Sequence, residues 1–499
     1  MKTNPFRGIL TVVMLTSGMA CTGAAGNDTI PRRHTITLRE AHIGNLEIDT
    51  LLLTSYEPVP AHTMDFYMDA RTVFMTNPET DFSDSTIVAA ARKYDIPVMG
   101  GPMLGNLAAD GVTIWMRPAS KDPVVVRVKK AGSTREMSRV LDPVTPGVEE
   151  RLRIDGLEPG TTYRYEVHSG DSRIAQGGFR TPPPPGEKGA FTLTFGSCFH
   201  KIGLHNPNLI HQVLERKPHA MMLLGDIAVD DRRDRINMHR SDYLLRDLAP
   251  AWKQLSANVP LYTSWDDHDY FDNDLAGIPE GFTGKDRRDV RAVWHQNWNN
   301  PANDQPGIYF NTRLGPVELI MLDTRSCREN QSRGEYGSFL GKKQLTWLKE
   351  VLRNSEAPYK VISSGTMWSD YVSNGKDSWG TWDTIARAEL FDFIASEKIP
   401  GVLLLSGDRH GARGFRIPTP SGFVMHEFET ASLGGVPGPD AMAPDTTHQL
   451  YGYHGKDAIA FGEFRFDTTG SERGLTFRLI DQYGHVLEKI FLPYESLRP

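Results

Sequence analysis

Between Leu261 and Asp274 the chain reads LYTSWDDHDYFDND, a short apolar run that empties into five aspartates, a histidine and an asparagine. Carboxylates this dense repel one another unless positive charge sits among them, and a metal ion is the natural source of it. Other apolar runs end in the same way. Met221-Met222-Leu223-Leu224 leads into Gly225-Asp226, Leu319-Ile320-Met321-Leu322 into Asp323-Thr324-Arg325, and Val402-Leu403-Leu404-Leu405 into Ser406-Gly407-Asp408-Arg409-His410. Phe191 to Phe195 ends in Gly196-Ser197-Cys198. Thiolate and imidazole nitrogen suit a transition metal such as iron or zinc, whereas carboxylate and amide oxygen suit calcium, magnesium or manganese. A set that mixes the two kinds of donor predicts two ions. Two ions roughly 4 Å apart can share a bridging carboxylate, acidify a water and clamp a phosphoryl group for in-line attack. Hydrolysis of a phosphoester is the chemistry this donor set implies.

The elements that must position these residues are legible as short, continuous apolar runs, the pattern of strands buried on both faces. In layered α/β proteins the loops after such strands gather at one edge, where ligands bind. From Ala190 onward strands alternate with helices, which are expected over Pro207 to Lys217, Arg287 to Trp298, Gln344 to Leu352 and Ile385 to Ser396. Lys360 to Ser364 reads as a further strand. Phe464-Arg465-Phe466 and Leu475 to Leu479 alternate apolar with polar, so they read as half-exposed strands that close a sheet edge or pack beside it. Residues 190–499 thus form the expected catalytic unit. Ahead of it, residues 100–185 have an all-β texture: Val112 to Met116, Val124 to Val128 and Tyr163 to Val167 are strands of a small β-sandwich, and Pro182 to Pro185 make a stiff linker. Residues 21–99 give little signal beyond a helix over Ser85 to Tyr94 capped by Asp84 or Ser85; Asp65 to Met75 has no clear period, and no role follows for this region.

A chain of 499 residues with 39% apolar and 23% charged residues exceeds one hydrophobic core. Its net charge of -7 argues against a general nucleic-acid binder, which carries a basic stripe. Residues 1–20 have the order of a signal peptide: Lys2 and Arg7, then apolar Ile9 to Leu15, then small residues up to Ala20. Export follows as the expectation. Cys21 stands where a bacterial lipoprotein carries its lipid, or simply at an ordinary cleavage site, so the mature protein is expected in the periplasm or anchored to a membrane. Cys198 and Cys327 remain as thiols, and their spacing demands no disulfide.

Taken in order, Gly-Ser-Cys198, Gly225-Asp226, Trp265-Asp266-Asp267-His268-Asp269-Tyr270, Leu322-Asp323-Thr324-Arg325 and Ser406-Gly407-Asp408-Arg409-His410 resemble the motifs of PhoD-like alkaline phosphatases, within the calcineurin-like metallophosphoesterase superfamily. The resemblance covers about residues 100–499. It implies a layered αββα catalytic domain, and the Gly-Leu-Glu-Pro-Gly turn before Thr-Tyr-Arg-Tyr is similar to a fibronectin type III sandwich in which a tyrosine pins a corner. By position, the resemblance makes Asp226 the carboxylate shared by both ions, puts Cys198 and His410 on the transition metal and puts Asp408 on the harder ion. Asn273 is favoured as a further ligand of the harder ion for its neutral amide oxygen, with Asp267 as its rival. His268 is implied as general acid, and Arg325 and Arg409 as phosphate-binding residues or as partners of the clustered acids. Two departures stand out: Val229 occupies the place of a usual metal-binding tyrosine, with Asp230 and Asp231 as possible oxygen substitutes, and Cys327 stands where a tyrosine is common. The implied activity is hydrolysis of a phosphomonoester, phosphodiester or phospholipid head group by a metal-activated hydroxide. The competing reading is a non-catalytic surface lipoprotein that binds a ligand through the same fold. Loops Arg325 to Phe339 and Trp368 to Trp382 are where substrate choice would lie, the latter carrying an aromatic cluster that either flanks the cleft or packs.

Overall fold

Two β-sheets packed face to face carry the candidate residues. The computed structural model describes residues 29–499 except 234, 303, 373, 374, 376 and 470–472, so the expected signal peptide and Cys21 lie outside the described residues. One sheet has six strands in the order Leu261–Ser264, Ala220–Leu224, Ala190–Gly196, Ala460–Asp467, Gly474–Asp481, Val486–Pro493. The other has seven, in the order Phe310–Leu314, Val317–Met321, Tyr359–Ser363, Val402–Ser406, Val424–Thr430, Gly411–Pro418, Gln449–His454. Within each sheet the strands that end in candidate residues run parallel to one another. The strands AMMLL, VELIM, YKVIS and VLLLS are buried at every position, as their continuous apolar character predicts.

Alternate side chains of one strand serve two cores. Met222 and Leu224 join the layer between the sheets, where Phe464 and Phe477 meet Phe428 and Tyr451, while Met221 and Leu223 face the outer layer. On that outer face helices Pro207–Glu215 and Pro250–Asn258 bury Ile210, Val213, Trp252 and Leu255. The seven-stranded sheet is covered by Lys342–Asn354 and Thr384–Ser396 through Leu345, Leu348, Leu390 and Ile394. The layering is helix, sheet, sheet, helix.

The expectation for the tail needs correction. Ala460–Asp467 is an interior strand, antiparallel to Ala190–Gly196, and almost wholly buried. The alternation of Phe464-Arg465-Phe466 is present, with Arg465 exposed, yet it does not mark an edge: Glu463 on the same outward face is covered, its carboxylate taking Arg216 at the end of the overlying helix at 2.6 Å and Arg478 at 2.6 Å. The edge strand of that sheet is Val486–Pro493.

Seven strands between Val98 and Arg180 form a three-stranded and a four-stranded sheet. The hydroxyl of Tyr163 accepts the Glu158 backbone N–H at 2.8 Å, and its ring stacks on Phe179. Ahead of these strands lie four helices: α1 (Leu38–Ile43), α2 (Leu46–Leu53), α3 (Ala61–Thr76) and α4 (Ser85–Lys93). α4 falls where its cap predicts, with the Asp84 carboxylate accepting the Thr86 N–H. α3 gives no clear period because its buried face mixes Phe66, Tyr67, Ala70 and Phe74 with Thr63 and Arg71. All four helices pack on helix Ile236–Leu248 or its surroundings through a shared core that includes Met238, Leu244, Leu245 and Leu248. Among the described residues no helix is long and apolar enough to cross a membrane.

Phe464 is fully buried where the two sheets meet, in contact with the rings of Phe195, Phe428, Phe466 and Phe477. Phe464→Ala is expected to cost about 3–5 kcal/mol, read as a lowered denaturant midpoint at unchanged slope.

Candidate metal centre

The carboxyl ends of the strands meet at one edge. Ala190–Gly196 delivers Cys198 and His200, Ala220–Leu224 delivers Asp226, Leu261–Ser264 delivers Asp266, Asp267 and His268, and Val402–Ser406 delivers Asp408 and His410. Donor atoms of Cys198, His200, Asp226 and His410 all lie within 4.8 Å of one another. Asp226, Asp266, Asp267 and Asp408 form a second group of the same tightness, sharing Asp226 with the first. The backbone is bent hard to achieve this: Cys198, His200, Asp226, Asp408 and His410 all adopt positive φ, between 43° and 71°. L-residues other than Asn, Asp and Gly rarely do so, and such strain persists only where the surroundings over-determine it. Gly225 makes one of these bends possible, since at φ 102° a Cβ there would sit 2.5 Å from that of Asp266.

The first group fits a cation. His200 Nδ1 lies 2.9 Å from Asp230 Oδ1, and His410 Nδ1 lies 2.8 Å from the Pro437 carbonyl. These acceptors assign the ring protons to Nδ1. The two Nε2 atoms then face each other at 3.3 Å as lone pairs, beside the Cys198 sulfur, which is 3.5 Å from Asp226 Oδ2. Burial keeps both rings neutral, with His200 lowered and His410 brought down to about 3. Convergent lone pairs and a carboxylate make a donor set for a transition metal. In the second group, Oδ1 of Asp226 and Oδ1 of Asp267 are buried without a hydrogen-bond partner. Burial, reinforced by the surrounding carboxylates, pushes Asp226 and Asp408 well above the usual range, and burial together with Asp226 does the same to the Cys198 thiol. A cation reverses each of these shifts.

The remaining acids and the buried arginine hold the scaffold. Asp269 accepts the backbone N–H groups of Asp226 at 2.5 Å, Ile227 at 3.1 Å and Asp266 at 3.2 Å, so it clamps two ligand loops together. Asp323 accepts the Trp265 indole N–H at 2.9 Å and the Ile308 N–H at 3.0 Å. Arg325 is fully buried and forks onto Asp266 at 2.6 and 2.8 Å, with Asp377 at 2.6 Å on its other side. Arg325 engages Asp266 most closely and lies 3.6 Å from Asp267 and 3.9 Å from Asp408, while Asp267 accepts the Asp274 N–H at 2.6 Å and Asp408 the Thr366 hydroxyl at 3.3 Å, so each of these carboxylates is fixed in place with oxygen still turned toward the others.

Cys198, Asp226, Asp267, His268, Asp408 and His410 are brought together as the sequence predicts. Asn273 is not: it is exposed and its amide donates to Asp274 at 3.0 Å, whereas its rival Asp267 lies in the carboxylate group. Arg325 sits beneath the acids rather than open to substrate, because its guanidinium is their buried counter-charge. Arg409 stays at the mouth, partly exposed, 3.8 Å from Asp408. His200 is the residue that sequence reasoning missed. A signal for it exists, because Cys198-Phe199-His200 repeats the spacing of Asp408-Arg409-His410. Val229 itself is buried among apolar neighbours and offers no donor. Asp230 and Asp231 orient imidazoles instead: Asp230 takes His200, and Asp231 takes His268 Nδ1 at 2.5 Å. Although burial disfavours its charge, Asp267, Asp226 and Asp231 hold the His268 imidazolium well above the ordinary histidine range. Cys327 is a free, half-buried thiol, and Trp368 and Trp379 are packed in the core beneath the helices, not in the mouth.

A model of the PhoD-like phosphatase family matches residues 220–469, a stretch that holds Asp226, Asp267, His268, Asp408 and His410. The chain belongs to the PhoD-like phosphatases. It is a phosphoesterase. Among solved structures, one described as PhoD superposes with a TM-score of 0.62 at 19% identity, over 79% of this chain and 91% of that one. The purple acid phosphatase PPD1 from seeds of yellow lupin, Lupinus luteus, superposes with a TM-score of 0.58 at 14% identity, over 79% and 75%. At such identities the likeness is one of fold. No curated protein matches the chain. Cys198 and His200 stand ahead of the matched stretch and join this PhoD-like phosphatase's centre through the adjoining strand Ala190–Gly196.

Arg325→Met removes the buried counter-charge of Asp266 and Asp377 at nearly constant volume. Breaking a buried pair in this way is expected to cost about 3–5 kcal/mol, seen in denaturant unfolding, and to lower the metal content of the purified protein.

Proposed function

We propose that this chain is an exported, metal-dependent phosphoric ester hydrolase that acts on phosphomonoesters, phosphodiesters or both. The observation that carries the reading is the pair of neutral imidazoles whose Nε2 atoms converge at 3.3 Å beside Cys198 and Asp226, adjoined by the clustered carboxylates of Asp226, Asp267 and Asp408. Cys198, His200, Asp226 and His410 would hold a transition metal, iron or zinc; Asp226, Asp267 and Asp408 would hold a harder ion, calcium, magnesium or manganese. An imidazole in place of a phenolate leaves this first site one negative charge poorer, which supports a divalent ion there. Bound ions supply the hydrolytic nucleophile and neutralise charge at phosphorus. The chain's own residues do the rest. His268, protonated through its neighbours and fixed at Nδ1 by Asp231, gives the proton from Nε2 to the leaving oxygen as the P–O bond breaks. Arg409 at the mouth is the side chain placed to meet a phosphate oxygen.

Export and attachment through Cys21 rest on the leader-like residues 1–20 alone, as does a location in the periplasm or at a membrane. The Tyr163 bond to Glu158 supports a fibronectin type III-like reading of residues 100–185. A phospholipid head group is the alternative substrate to a soluble phosphoester.

The test is hydrolysis of p-nitrophenyl phosphate, bis-p-nitrophenyl phosphate and phosphatidylcholine vesicles across pH, with iron, zinc, manganese and calcium supplied singly. Chelation is expected to abolish turnover and metal to restore it. Asp226→Asn is expected to lower kcat/KM by about 1,000-fold or more and His268→Ala to lower kcat by about 100- to 10,000-fold. A folded, metal-loaded protein without turnover on any of them would leave the binding-module reading in its place.

A further inference from the structure

The N-terminal helices reach the metal centre through one side chain. α1 carries His42 in its last turn and is closed by Gly44 at φ 55°. His42 Nδ1 lies 2.9 Å from Asp231 Oδ2, and the other oxygen of the same carboxylate, Oδ1, lies 2.5 Å from His268 Nδ1. One aspartate thus bridges two imidazoles, whose ring centres are 4.7 Å apart. His42 Nε2 is buried without a hydrogen-bond partner, 3.7 Å from Asp230, the residue that orients His200.

The contact is not a loose one, because the backbone on both sides of it is locked by a buried charge network. Asp49 of α2 pairs with Arg71 of α3 at 2.7 Å and with Lys201 at 3.2 Å. Lys201 reaches Asp242 at 3.5 Å, and Asp242 pairs with Arg232 at 2.7 Å. All five side chains are buried. Lys201 directly follows His200, and Arg232 directly follows Asp231, so the network fixes the two segments that hold the imidazoles. Arg71 also donates to the Gly44 carbonyl at 2.6 Å, and the Arg232 guanidinium fills the place where a side chain at residue 44 would project. A single buried network therefore sets where α1 ends and where Asp231 begins.

We propose that His42 is a positioning residue of the phosphoesterase site: through the shared Asp231 carboxylate it fixes the ring of His268, and α1 is the element that closes the centre on that side. A carboxylate bound at one oxygen only can swing about its Cα–Cβ bond and carry its histidine with it; a second donor on the other oxygen removes that freedom. Misplacing a general acid by about 1 Å costs on the order of 100-fold in rate. The inference rests on the reading of His268 as the proton donor to the leaving group, and it gives residues 29–97 a role, since they carry part of the active site.

The experiment compares wild type, His42→Ala and His42→Asn on phenyl phosphate, whose leaving group needs a proton, and on p-nitrophenyl phosphate, whose leaving group needs it far less. Bound metal is measured in the same preparations, and the downfield Nδ1–H proton resonance of His268 is recorded on each metal-loaded protein. His42→Ala is expected to lower kcat on phenyl phosphate by about tenfold or more and on p-nitrophenyl phosphate by about threefold or less, with KM and metal content unchanged. The resonance is expected to shift upfield and broaden. His42→Asn, which puts an N–H donor where Nδ1 lies, is expected to restore both. An unchanged resonance in His42→Ala, or equal loss on the two substrates, overturns the proposal; so does loss of metal, which would make His42 a ligand. Asp226→Asn run alongside separates the two readings: wild-type turnover in that variant would remove hydrolysis at this centre altogether and take the positioning role with it, whereas its inactivity beside a normal His42→Ala would remove the positioning role alone.

Discussion

Carboxylates cannot be crowded into a buried pocket without counter-charge, and most of the structure around the centre is an answer to that constraint. Arg325 neutralises Asp266 and Asp377 from below. Backbone N–H groups neutralise Asp269 in part, and because burial outweighs them its carboxyl still rises to about 7. Imidazoles at His200, His268 and His42 take up Asp230 and Asp231. Against its burial, Asp267 is held low by Arg325 and His268, whereas burial and the neighbouring carboxylates still push Asp226 and Asp408 well above the usual range, so these two are the least compensated of the group. A protein that left such a group bare would be destabilised by it, so the uncompensated charge is itself the argument for cations.

How much of this was legible in the sequence depended on which force set each element. The strands were readable because burial on both faces demands unbroken apolar runs, and AMMLL and VLLLS supply them. The ligands at their ends were readable because chemistry restricts residue type after a strand. His200 escaped, although its spacing from Cys198 repeats that of His410 from Asp408. α3 escaped because its buried face carries Arg71 as an ion-pair partner, and a buried charge looks like an exposed one in a periodicity. Ala460–Asp467 was read as an edge or flanking strand because Arg465 is exposed between Phe464 and Phe466, but one exposed side chain on the outer face does not prevent strands from pairing on both sides. Asn273 was favoured over Asp267 for its amide oxygen and its place in the resembled motif, and no local pattern states that the loop turns Asn273 outward. His42 could not have been found from sequence: it lies 189 positions before Asp231 and 226 before His268, with only the charge network to join them.

That network also explains why the N-terminal helices belong to the functional unit. Their apolar faces pack on Met238, Leu244 and Leu248, which would hold them in place without any charge. Burying Asp49, Arg71, Lys201, Arg232 and Asp242 beside that core is costly, and apolar residues of similar volume would be at least as stable there. What the ionic arrangement adds is register: guanidinium and carboxylate pair in few orientations, so the helices sit at one angle to the loops of His200 and Asp231.

The backbone bears the consequence. Positive φ at Cys198, His200, Asp226, Asp408 and His410 holds of the order of 1–3 kcal/mol of strain per residue. It is sustained by main-chain hydrogen bonds that cross between the loops: Cys198 N–H to the Gly225 carbonyl at 3.1 Å, His200 N–H to that of Asp226 at 2.8 Å, and Gly455 N–H to that of His410 at 3.1 Å. These bonds need no ion. The hydrophobic layer that drives folding lies between the two sheets, away from their carboxyl ends. The cross-loop bonds and the hydrophobic layer thus hold the ligand loops through the protein's own contacts, unlike a small domain whose only organising centre is its metal.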